Sequence, residues 1–568
     1  MKFVALISGG KDSCFNIMNC QWNGHELAAL ANLHPVKPEN SASDDGDVIH
    51  ELDSFMYQTV GHTALPLYAQ CFGVPIYRGS ITGSAISSAL DYSTTELDET
   101  EDLFLLLKGI KQAHPDISGV SVGAILSTYQ RTRVESVCAR LGLTVLAYLW
   151  QRNQVDLLNE MIDAGLVAVL IKVAGAGLSA KDHLGKTLAQ VKPSLWKLHE
   201  LYGSHVCGEG GEYETLVLDC PAFKYGRLVI DETQLVQEEG TGVAYLKVLN
   251  AHVEVKPILA EGYACKSAIP LLFDSNGIKL LKQWEILSHP DIPLMDFCQY
   301  EPLKFNSQVI KLGRWIIASN FTIHGRHCLT IEEEITSLFD DLSNSMSAED
   351  DSSICQRIAF VSLILKDMTE FGGANSAYKE WFAKTTNGRP NPPARACISA
   401  GVPDHCRAVV SVVAQRNETG NHRRGLHVQG RSYWAPANIG PYAQAIQEED
   451  LIFLAGQIGL VPPTMQVCKT VVGQSVLALQ HLKRVATAVT GSVEEEGSAE
   501  LLYIVGIASN IEAAATADWI RQTSKVAGGA GFTVQVEGLP AGSEVEYVGV
   551  AADRRWAEAK QAEDDERE

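Results

Sequence analysis

The chain has 568 residues, 46% of them apolar, so it is long enough to bury several hydrophobic cores and to form about three or four domains. Its 46 basic and 68 acidic residues give a formal net charge of −22, which argues against direct nucleic-acid binding, because phosphate contacts need clustered Lys and Arg. The 13 cysteines form no Cys-x-x-Cys pair, which argues against zinc ribbons and a disulfide framework.

The N-terminus carries a single Lys before the apolar run Phe3–Ile7, which is too short for a signal peptide. No apolar run in the sequence approaches the ~18 residues of a membrane-spanning helix. We therefore expect a cytoplasmic protein that has no membrane partner.

Residues 1–235 alternate short apolar runs with amphipathic stretches. The apolar runs predict strands at residues 3–7, 120–125, 143–147 and 166–173. Helical spacing of apolar residues predicts helices that cover residues 14–22, 134–141 and 157–162. Strands with little polar alternation that are separated by helices imply a parallel sheet covered on both faces, and hence an α/β N-terminal domain.

The second half of the chain contains two segments that resemble each other. Residues 315–320 are similar to 452–457, and 402–414 to 539–551, with the same offset of 137 residues (318 to 455 and 403 to 540). A repeat of this length indicates a duplicated domain and not a solenoid. The predicted organisation is a domain at 1–235, a connector at 236–297, a first copy at 298–416, a linker at 417–430, a second copy at 431–556 and a charged tail at 557–568.

A glycine-containing loop lies between the first predicted strand and the first predicted helix, and its residues are Ser8, Gly9, Gly10, Lys11, Asp12 and Ser13. The two glycines allow close backbone approach to a phosphate, and the following helix adds the positive end of its dipole. The serine hydroxyls can donate hydrogen bonds, Lys11 can neutralise charge, and Asp12 can hold Mg²⁺ or cap the helix. An ordinary turn with Asp12 as the N-cap is the alternative interpretation.

This loop lacks the spacing of a Walker motif, and it resembles the pyrophosphate loop of the ATP-pyrophosphatase superfamily. The resemblance implies a HUP-like nucleotide-binding fold that uses ATP, with Mg²⁺ expected beside the phosphates. It further implies that ATP is split between its α and β phosphates while an oxygen of the substrate is adenylated.

A second unusual segment, residues 207–215 (CGEGGEYET), places three acids and three glycines between apolar flanks. On composition alone a solvated acidic turn is an equally good interpretation. Together with residues 57–62 and 127–135, however, this segment resembles the signatures of the diphthine–ammonia ligase family. The resemblance implies that ATP activates the carboxylate of diphthine on elongation factor 2 and that ammonium supplies the amide nitrogen.

The same resemblance implies substrate-binding or catalytic roles for residues of these three segments, namely Gly208, Glu209, Gly210, Gly211, Glu212, Glu214, Tyr129, Arg131, Arg133 and His62. The three glutamates are expected to bind the cationic part of diphthine or to order Mg²⁺. The two arginines are expected to neutralise the α-phosphate or the carboxylate. The alternatives are surface charge for the arginines, a structural histidine at His62 and core packing for Tyr129.

Residues 439–463 resemble the Rid family of trimeric reactive-intermediate deaminases, which implies two α+β, chorismate-mutase-like domains in the C-terminal half. The first copy keeps Arg395, which matches the family's carboxylate-binding arginine. The second copy keeps Tyr442 and Glu546 but has Gly531 at the arginine position. We predict a degenerate pair kept for packing, with these residues apart or the cleft filled by side chains. A composite imine-deaminase site is the alternative.

Two further functions remain open at this point. One is another adenylating amide or thiol ligase of the same superfamily, acting on a small carboxylate or on tRNA. The other is a non-catalytic scaffold for elongation factor 2, against which the intact loop Ser8–Ser13 argues.

Overall fold

The computed structural model describes residues 1–35, 60–175, 177–237, 240–257, 267–287, 305–323, 330–347, 354–385, 391–416, 423–491, 498–524, 527–555 and 558. The chain divides into two compact units. Unit 1 comprises residues 1–270 together with 429–434, and unit 2 comprises residues 271–428 and 435–568. No helix in these described ranges is long and apolar enough to cross a membrane.

The helices and strands of unit 1 are β1 (Lys2–Leu6), α1 (Lys11–Trp22), β2 (Glu26–Pro35), α2 (Tyr68–Phe72), β3 (Ile76–Ile81), α3 (Glu99–Ala113), β4 (Ile117–Ser121), α4 (Thr128–Leu141), β5 (Thr144–Leu146), α5 (Gln154–Asp163), β6 (Val167–Ala174), α6 (Ala180–His183), α7 (Leu188–Tyr202), β7 (Tyr213–Asp219), β8 (Gly226–Gln237) and β9 (Val243–Val255).

A five-stranded parallel sheet forms the centre of unit 1, in the order β3-β2-β1-β4-β5. This arrangement confirms the predicted parallel-sheet α/β fold. β1 lies between β2 and β4. The chain continues from β1 into one half of the sheet, β2 and β3, and then returns to form the other half, β4 and β5. Ligands of open α/β sheets bind at the carboxyl end of a strand in this position.

Helix α4 shows how local sequence sets the bounds of an element near this edge. The Ser127 side chain accepts a hydrogen bond from the Gln130 N–H and caps the start of the helix. Gly142, at φ +62°, ends it in the left-handed conformation that glycine adopts without strain. The helix predicted to close at Gly142 is therefore confirmed.

Two predictions for unit 1 are wrong. β6, expected in the parallel sheet, belongs to a second, antiparallel sheet of order β7-β6-β9-β8. Its apolar composition reflects burial on both faces, which does not distinguish parallel from antiparallel pairing. The predicted boundary at residue 235 falls inside β8, and β9 pairs with both β8 and β6, so the N-terminal domain continues to about residue 255.

The helices and strands of unit 2 are α8 (Ser275–Ile286), β10 (Gln308–Leu312), β11 (Trp315–Phe321), α9 (Ile331–Ser347), β12 (Ile358–Leu365), α10 (Phe371–Thr385), β13 (Ala394–Ser399), β14 (Ala408–Gln415), β15 (Arg423–Leu426), β16 (Ala445–Glu448), β17 (Leu451–Ile458), β18 (Leu460–Val461), β19 (Gln466–Val467), α11 (Val471–Val489), β20 (Ala499–Ala508), α12 (Ile511–Thr523), β21 (Ala527–Gln535) and β22 (Val545–Asp553).

Unit 2 contains two sheets with the same topology. One has the order β10-β11-β14-β12-β13, and the other has β16-β17-β22-β20-β21 with β15 added at its edge. β12 and β13 are parallel in the first sheet, and β20 and β21 are parallel in the second. All other neighbouring strands of the two orders are antiparallel. The predicted duplication is therefore present in the fold.

Strand register fixes which residues of the two copies are equivalent. Val361 of β12 faces Arg395, and the corresponding residue of β20, Ile504, faces Gly531. This places Gly531 at the position of Arg395, as the sequence predicted.

The predicted linker at residues 417–430 needs correction, because Arg423–Leu426 forms strand β15 and pairs with β16. The α8 helix, Ser275–Ile286, likewise lies inside the predicted connector at 236–297. Residues 417–422, motif residues 57–59 and nearly all of the charged tail lie outside the described residues.

Candidate functional site

The predicted phosphate loop, Ser8–Ser13, follows the central strand β1 and runs into the first turn of α1. Gly9 has φ +88°, and a Cβ at this position would lie 2.9 Å from the Leu65 side chain, so glycine is required here. The Ser13 hydroxyl donates to the Gly10 carbonyl at 3.0 Å. These features hold the loop at the positive end of the α1 dipole.

Strand β7 anchors the phosphate loop from the second sheet. The Lys11 N–H donates to the Thr215 hydroxyl at 3.0 Å, and the Val217 N–H donates to the Gly9 carbonyl at 2.8 Å. Because β7 continues the acidic segment, these bonds join the two predicted motifs into one site.

A cavity of about 940 Å³ lies beside the phosphate loop. Four predicted residues line it: Ser8, Asp12, Ser13 and Glu209. Sequence reasoning missed its other walls, which include Asn32 and Leu33 of β2, Leu103 and Leu106 of α3, Gly123, and Gln130 and Val134 of α4. The cavity thus combines the predicted phosphate loop with apolar walls, an arrangement that suits a nucleotide.

One signal for the missed residues was present in the sequence. The apolar run at 120–125 predicted a strand, but β4 ends at Ser121 and Val122–Ala124 forms part of the cavity wall. The part of the apolar run that continues beyond the end of β4 therefore indicated where the cavity lies.

Gly123 lies directly against the phosphate loop. A Cβ on Gly123 would lie 2.7 Å from the carbonyl carbon of Asp12 and from the nitrogen of Ser13. Main-chain atoms cannot rotate away from such a clash, so the loop itself would have to shift.

If the cavity binds ATP, as the sequence predicts, Gly123→Ala should weaken that binding about tenfold or more, measured as a Kd by calorimetry. Gly109→Ala in α3 is the matched control, because nothing lies within 4 Å of its Cβ. The control should bind ATP with unchanged affinity. Equal affinities for the two variants would contradict the contact between Gly123 and the loop.

His205, which the sequence did not single out, organises the acidic loop at residues 207–212. Its Nδ1 accepts hydrogen bonds from the N–H groups of Cys207 at 3.2 Å and Glu209 at 3.5 Å. The main-chain N–H of His205 donates to Oε1 of Glu212 at 2.7 Å. Glu212 therefore braces the loop through one carboxylate oxygen.

The glycines of the acidic loop allow its backbone to turn tightly. Gly208 and Gly211 have φ +76° and +81°, and Gly210 is exposed beside them. Glu214, on β7, lies 3.6 Å from the Lys172 ammonium in an ion pair on the second sheet. Of the three predicted glutamates, Glu209 is the one that lines the cavity.

Glu209 is held in the cavity by a hydrogen bond from the Leu126 N–H to its Oε2 at 3.2 Å. Burial, and then repulsion from Asp12, raise the pKa of Glu209 to about 7. A carboxyl group with this pKa can give up and take back a proton near neutral pH. It is the side chain of the site best suited to acid–base chemistry.

Asp12 has the environment of a cation ligand. Its Oδ1 is buried and lacks a hydrogen-bond partner among the described residues, and its Oδ2 accepts from the Lys11 ammonium at 2.8 Å. The described residues contain no cluster of three or more His, Cys, Asp or Glu side chains that could hold a metal by themselves. This donor set fits Mg²⁺, which typically takes one or two carboxylates together with water and substrate phosphates.

Lys11 is placed differently from the prediction. Its side chain is buried, and its ammonium donates to Asp12 and, at 2.5 Å, to the carbonyl of Cys207. It therefore ties the phosphate loop to the acidic loop and is not among the residues that line the cavity.

The two predicted arginines are also used inside the protein. Arg131 pairs with Glu135 at 2.7 Å, and both side chains are buried. Arg133 is fully buried and donates to the carbonyls of Ser87 and Ala89. These contacts replace the expectation that the two guanidiniums neutralise a phosphate or the substrate carboxylate.

Tyr129 and His62 likewise do not line the cavity. The Tyr129 ring stacks under the Arg133 guanidinium, with 3.2 Å between the ring centroid and the guanidinium carbon. His62 is buried at the start of the 3₁₀ turn His62–Leu67. Their positions match the structural alternatives that the sequence left open.

A second, small cavity lies within unit 2 where residues of the two copies meet. Arg395 of the first copy lines it together with Tyr442 and Glu546 of the second. These residues are therefore not apart, whereas the other arm of the prediction, a cleft filled by side chains, agrees with the little free space left between them. Residues on different strands converge here because the two sheets pack against each other, with Ala394 of β13 bridged to Ala443.

The polar groups of this second cavity are not paired with one another. The Arg395 Nη2 donates to Asn375 at 2.5 Å, whereas its Nε and Nη1 have no hydrogen-bond partner among the described residues. Burial raises the pKa of Glu546 to about 8, which keeps it mostly neutral at pH 7 although Arg395 opposes the shift.

Comparison with known proteins gives three family matches along the chain. The diphthamide synthase N-terminal domain matches residues 1–145, and the diphthamide synthase C-terminal domain matches residues 153–251. The endoribonuclease L-PSP family, which has the Rid fold, matches residues 433–553. The diphthine–ammonia ligase of Schizosaccharomyces pombe is 44% identical over 501 residues, which cover 86% of this chain and 78% of that protein.

The chain belongs to the diphthine–ammonia ligase family. This membership and the Rid-like C-terminal domain confirm the two resemblances seen in the sequence. The Saccharomyces cerevisiae member is 40% identical over 85% of this chain and 72% of its own length. The Homo sapiens member is 52% identical over 259 residues, which cover 45% of this chain and 94% of that protein.

Among solved structures, Escherichia coli TdcF with bound serine matches with 23% identity and a TM-score of 0.19, over 21% of this chain and 93% of its own. The family's diphthamide-synthase regions end at residue 251, in agreement with the extent of β9. The position of the site in these regions assigns it to the ligase part of the chain.

Proposed function

We propose that this chain catalyses the ATP-dependent amidation of diphthine on elongation factor 2, with ammonium as the nitrogen source and diphthamide as the product. The observation that carries the proposal is the bonding of the phosphate loop to the strand of the family's acidic segment. That contact sets a phosphate-binding backbone and a carboxyl group with a near-neutral pKa on the same cavity. We place the reaction in the cytoplasm.

The loop residues would act on the phosphates of ATP. Gly9 and Gly10 let the backbone approach the ligand at the α1 N-terminus, and Ser8 supplies a hydroxyl donor, while Ser13 holds the loop in shape through its bond to the Gly10 carbonyl. Asp12 would hold Mg²⁺, which offsets the phosphate charge when it is bound. The diphthine carboxylate then attacks the α-phosphate, which forms an acyl adenylate and releases pyrophosphate.

The acidic loop would act on the nitrogen nucleophile. Ammonium is unreactive until it loses a proton, and Glu209 faces the same cavity with a pKa of about 7. We propose that Glu209 accepts this proton, after which ammonia displaces AMP from the acyl adenylate. The cationic trimethylammonium group of diphthine would be attracted by Glu212, the other acidic residue of this loop.

The proposal is tested by incubating the protein with ATP, ammonium and elongation factor 2 that carries diphthine. The modified peptide is then weighed, and the nucleotide products are quantified. We expect conversion of the carboxylate to an amide, with one AMP and one pyrophosphate for each amide formed. ADP and orthophosphate as stoichiometric products would refute the assignment. Thiolation of tRNA by the same protein would favour the alternative ligase.

A second candidate function, imine hydrolysis in unit 2, is favoured by the convergence of Arg395, Tyr442 and Glu546. The guanidinium of Arg395 is surrounded by the rings of Tyr378, Tyr442 and Phe371, at 4.7, 5.3 and 5.8 Å from their centroids. A buried cation without a carboxylate partner favours an anionic ligand. Protonated Glu546 is suited to transfer a proton to a leaving amine.

If this second site is active, full-length protein should hydrolyse the imine of a small α-amino acid, and Arg395→Ala should lower that rate at least about tenfold. Release of ammonia from the imine is the measurement. Arg407→Ala in the same unit is the control, because Arg407 pairs with Glu370 at 3.3 Å and is partly exposed. Absence of hydrolysis by the unaltered protein would return the pair to a packing role.

A further inference from the structure

The six residues 429–434 lie between β15 and β16 of the second copy in sequence, yet they belong to unit 1. We call this segment the strap. The Arg431 N–H donates to the Val145 carbonyl and the Ala147 N–H donates to the Arg431 carbonyl, both at 2.8 Å. These bonds form a parallel bridge to β5, the edge strand of the five-stranded sheet. The strap therefore occupies an edge that would otherwise expose its amides and carbonyls.

Glu135, in α4, binds the start of the strap. Its Oε1 accepts hydrogen bonds from the N–H groups of Gln429 and Gly430, both at 2.8 Å, while its Oε2 accepts from Arg131. Glu135 is 2% exposed, so these donors compensate a carboxylate that has lost its water. A Cβ on Gly430 would lie 3.2 Å from the Val145 side chain, so the fit leaves little room.

Tyr433 binds the other end of the strap to unit 1. Its ring lies 4.9 Å from the ring of Tyr148, and the Arg152 guanidinium lies 5.7 Å from its centroid. Its hydroxyl accepts a hydrogen bond from the side chain of Asn23 at 2.5 Å. Asn23 is the residue at which α1 ends.

The strap thus contacts the two helices that form the nucleotide cavity. The N-terminus of α1 carries the phosphate loop, and its C-terminal end is bonded to Tyr433. α4 contributes Gln130 and Val134 to the cavity wall and is bonded to the strap through Glu135. Every one of these strap contacts lies outside the cavity itself.

We propose that the strap positions α1 and α4 for nucleotide binding, with Glu135 and Tyr433 as positioning residues. The family matches cover residues up to 251 and from 433 onward, so most of the strap lies in neither. The inference rests on the proposed function for the identity of the nucleotide, ATP. By this inference a segment between β15 and β16 of the second Rid-like copy contributes to nucleotide binding by the ligase domain.

The test uses full-length protein with Tyr433→Ala and, separately, Gly430→Val, which inserts a side chain into the close contact with Val145. The dissociation constant for ATP is measured by calorimetry, and kcat is measured at saturating ATP. Amide hydrogen exchange is followed over α4 and β5. Tyr503→Ala, which removes a ring from an edge-to-face pair in unit 2, is the matched control.

We expect both strap variants to weaken ATP binding about tenfold while kcat stays within about twofold. The Ala147 amide, which donates to the strap, should exchange faster. Tyr433→Phe keeps the ring and loses the bond to Asn23, so its effect should be smaller, and it serves as the readout if Tyr433→Ala does not fold. The control should match the unaltered chain.

Faster exchange with unchanged ATP affinity would overturn the positioning role and leave the strap as a structural contact. Unchanged exchange would show that the strap does not restrain this edge of the sheet. If the unaltered protein does not bind ATP at all, the proposed function fails. In that case the exchange data alone still decide whether the strap restrains α4 and β5.

Discussion

Replacing Asp12 by Asn is expected to lower kcat/KM for ATP by about a hundredfold or more, the usual scale for loss of a group that stabilises charge at a phosphoryl centre. Asn keeps the shape of the side chain but removes the negative charge that would hold Mg²⁺. The buried Oδ1, which lacks a partner among the described residues, is the atom that this change neutralises. The measurement is the rate of AMP release over a range of Mg²⁺ concentrations.

The control for Asp12→Asn is Asp163→Asn, which makes the same chemical change at an exposed residue at the end of α5. The control should retain the kinetics of the unaltered chain. Asp163→Asn should unfold at the temperature of the unaltered protein, whereas Asp12→Asn should unfold somewhat lower, because it removes the carboxylate that pairs with the buried Lys11 ammonium, so rates are compared at a temperature at which both variants are folded. Full activity of Asp12→Asn would remove Asp12 from the proposed site.

Glu209→Gln is expected to lower kcat/KM at pH 8 by about a hundredfold, within the range of general acid–base catalysis. The unaltered enzyme should lose kcat/KM as pH falls through about 7, because the Glu209 carboxylate is then protonated and cannot accept a proton from ammonium. This fall in kcat/KM below about pH 7 should be absent from the residual activity of Glu209→Gln. If Glu209→Gln still lost activity below about pH 7, a group other than Glu209 would be responsible for the pH dependence.

The same pKa predicts an opposite effect of Glu209→Gln on stability. Because the folded pKa of about 7 lies above the usual value of 4.5, the folded state keeps its proton longer than the unfolded chain. The unaltered protein therefore loses stability as pH rises from 4.5 to 7, and above pH 7 ionised Glu209 costs about 3 kcal/mol. Glu209→Gln removes this cost.

Chemical denaturation at pH 5 and pH 8 measures this difference. The free energy of unfolding of Glu209→Gln should exceed that of the unaltered protein at pH 8, and the gap should shrink at pH 5. Glu214→Gln is the comparison, since Glu214 lies near Lys172 on the second sheet and does not line the cavity. A pH-independent gap would show that Glu209 is not the titrating group.

The sequence by itself determined the local elements and the position of the phosphate loop between the first strand and the first helix. The apolar runs and helical spacing gave the α/β class, because burial on both faces of a sheet leaves a periodic signature in the chain. The loop Ser8–Ser13 was recognisable because its function depends on backbone geometry and a helix start, both of which are set within a few residues. The duplication was visible in the sequence because short similar segments recur at a constant offset of 137 residues.

Tertiary structure alone decided which polar residues belong to the site. Arg133 and Glu209 both stood in motifs, but packing buries Arg133 against the carbonyls of Ser87 and Ala89 and brings Glu209 to the cavity. The residue type in a motif does not encode the direction of its side chain. Long-range pairing does, and it leaves no periodic signal in the sequence.

The same reason explains the composite cavity and the strap. Arg395 and Glu546 are 151 positions apart in the numbering and meet because two copies of one fold pack together. Residues 429–434 were predicted as part of a linker and of the start of the second copy, since their composition carries no mark of the β5 edge that they cover. Their role follows from contacts to Glu135 and Asn23, which lie about 300 and 400 residues earlier in the chain. Such contacts arise only once the whole chain has folded, because each needs a surface that another part of the chain builds.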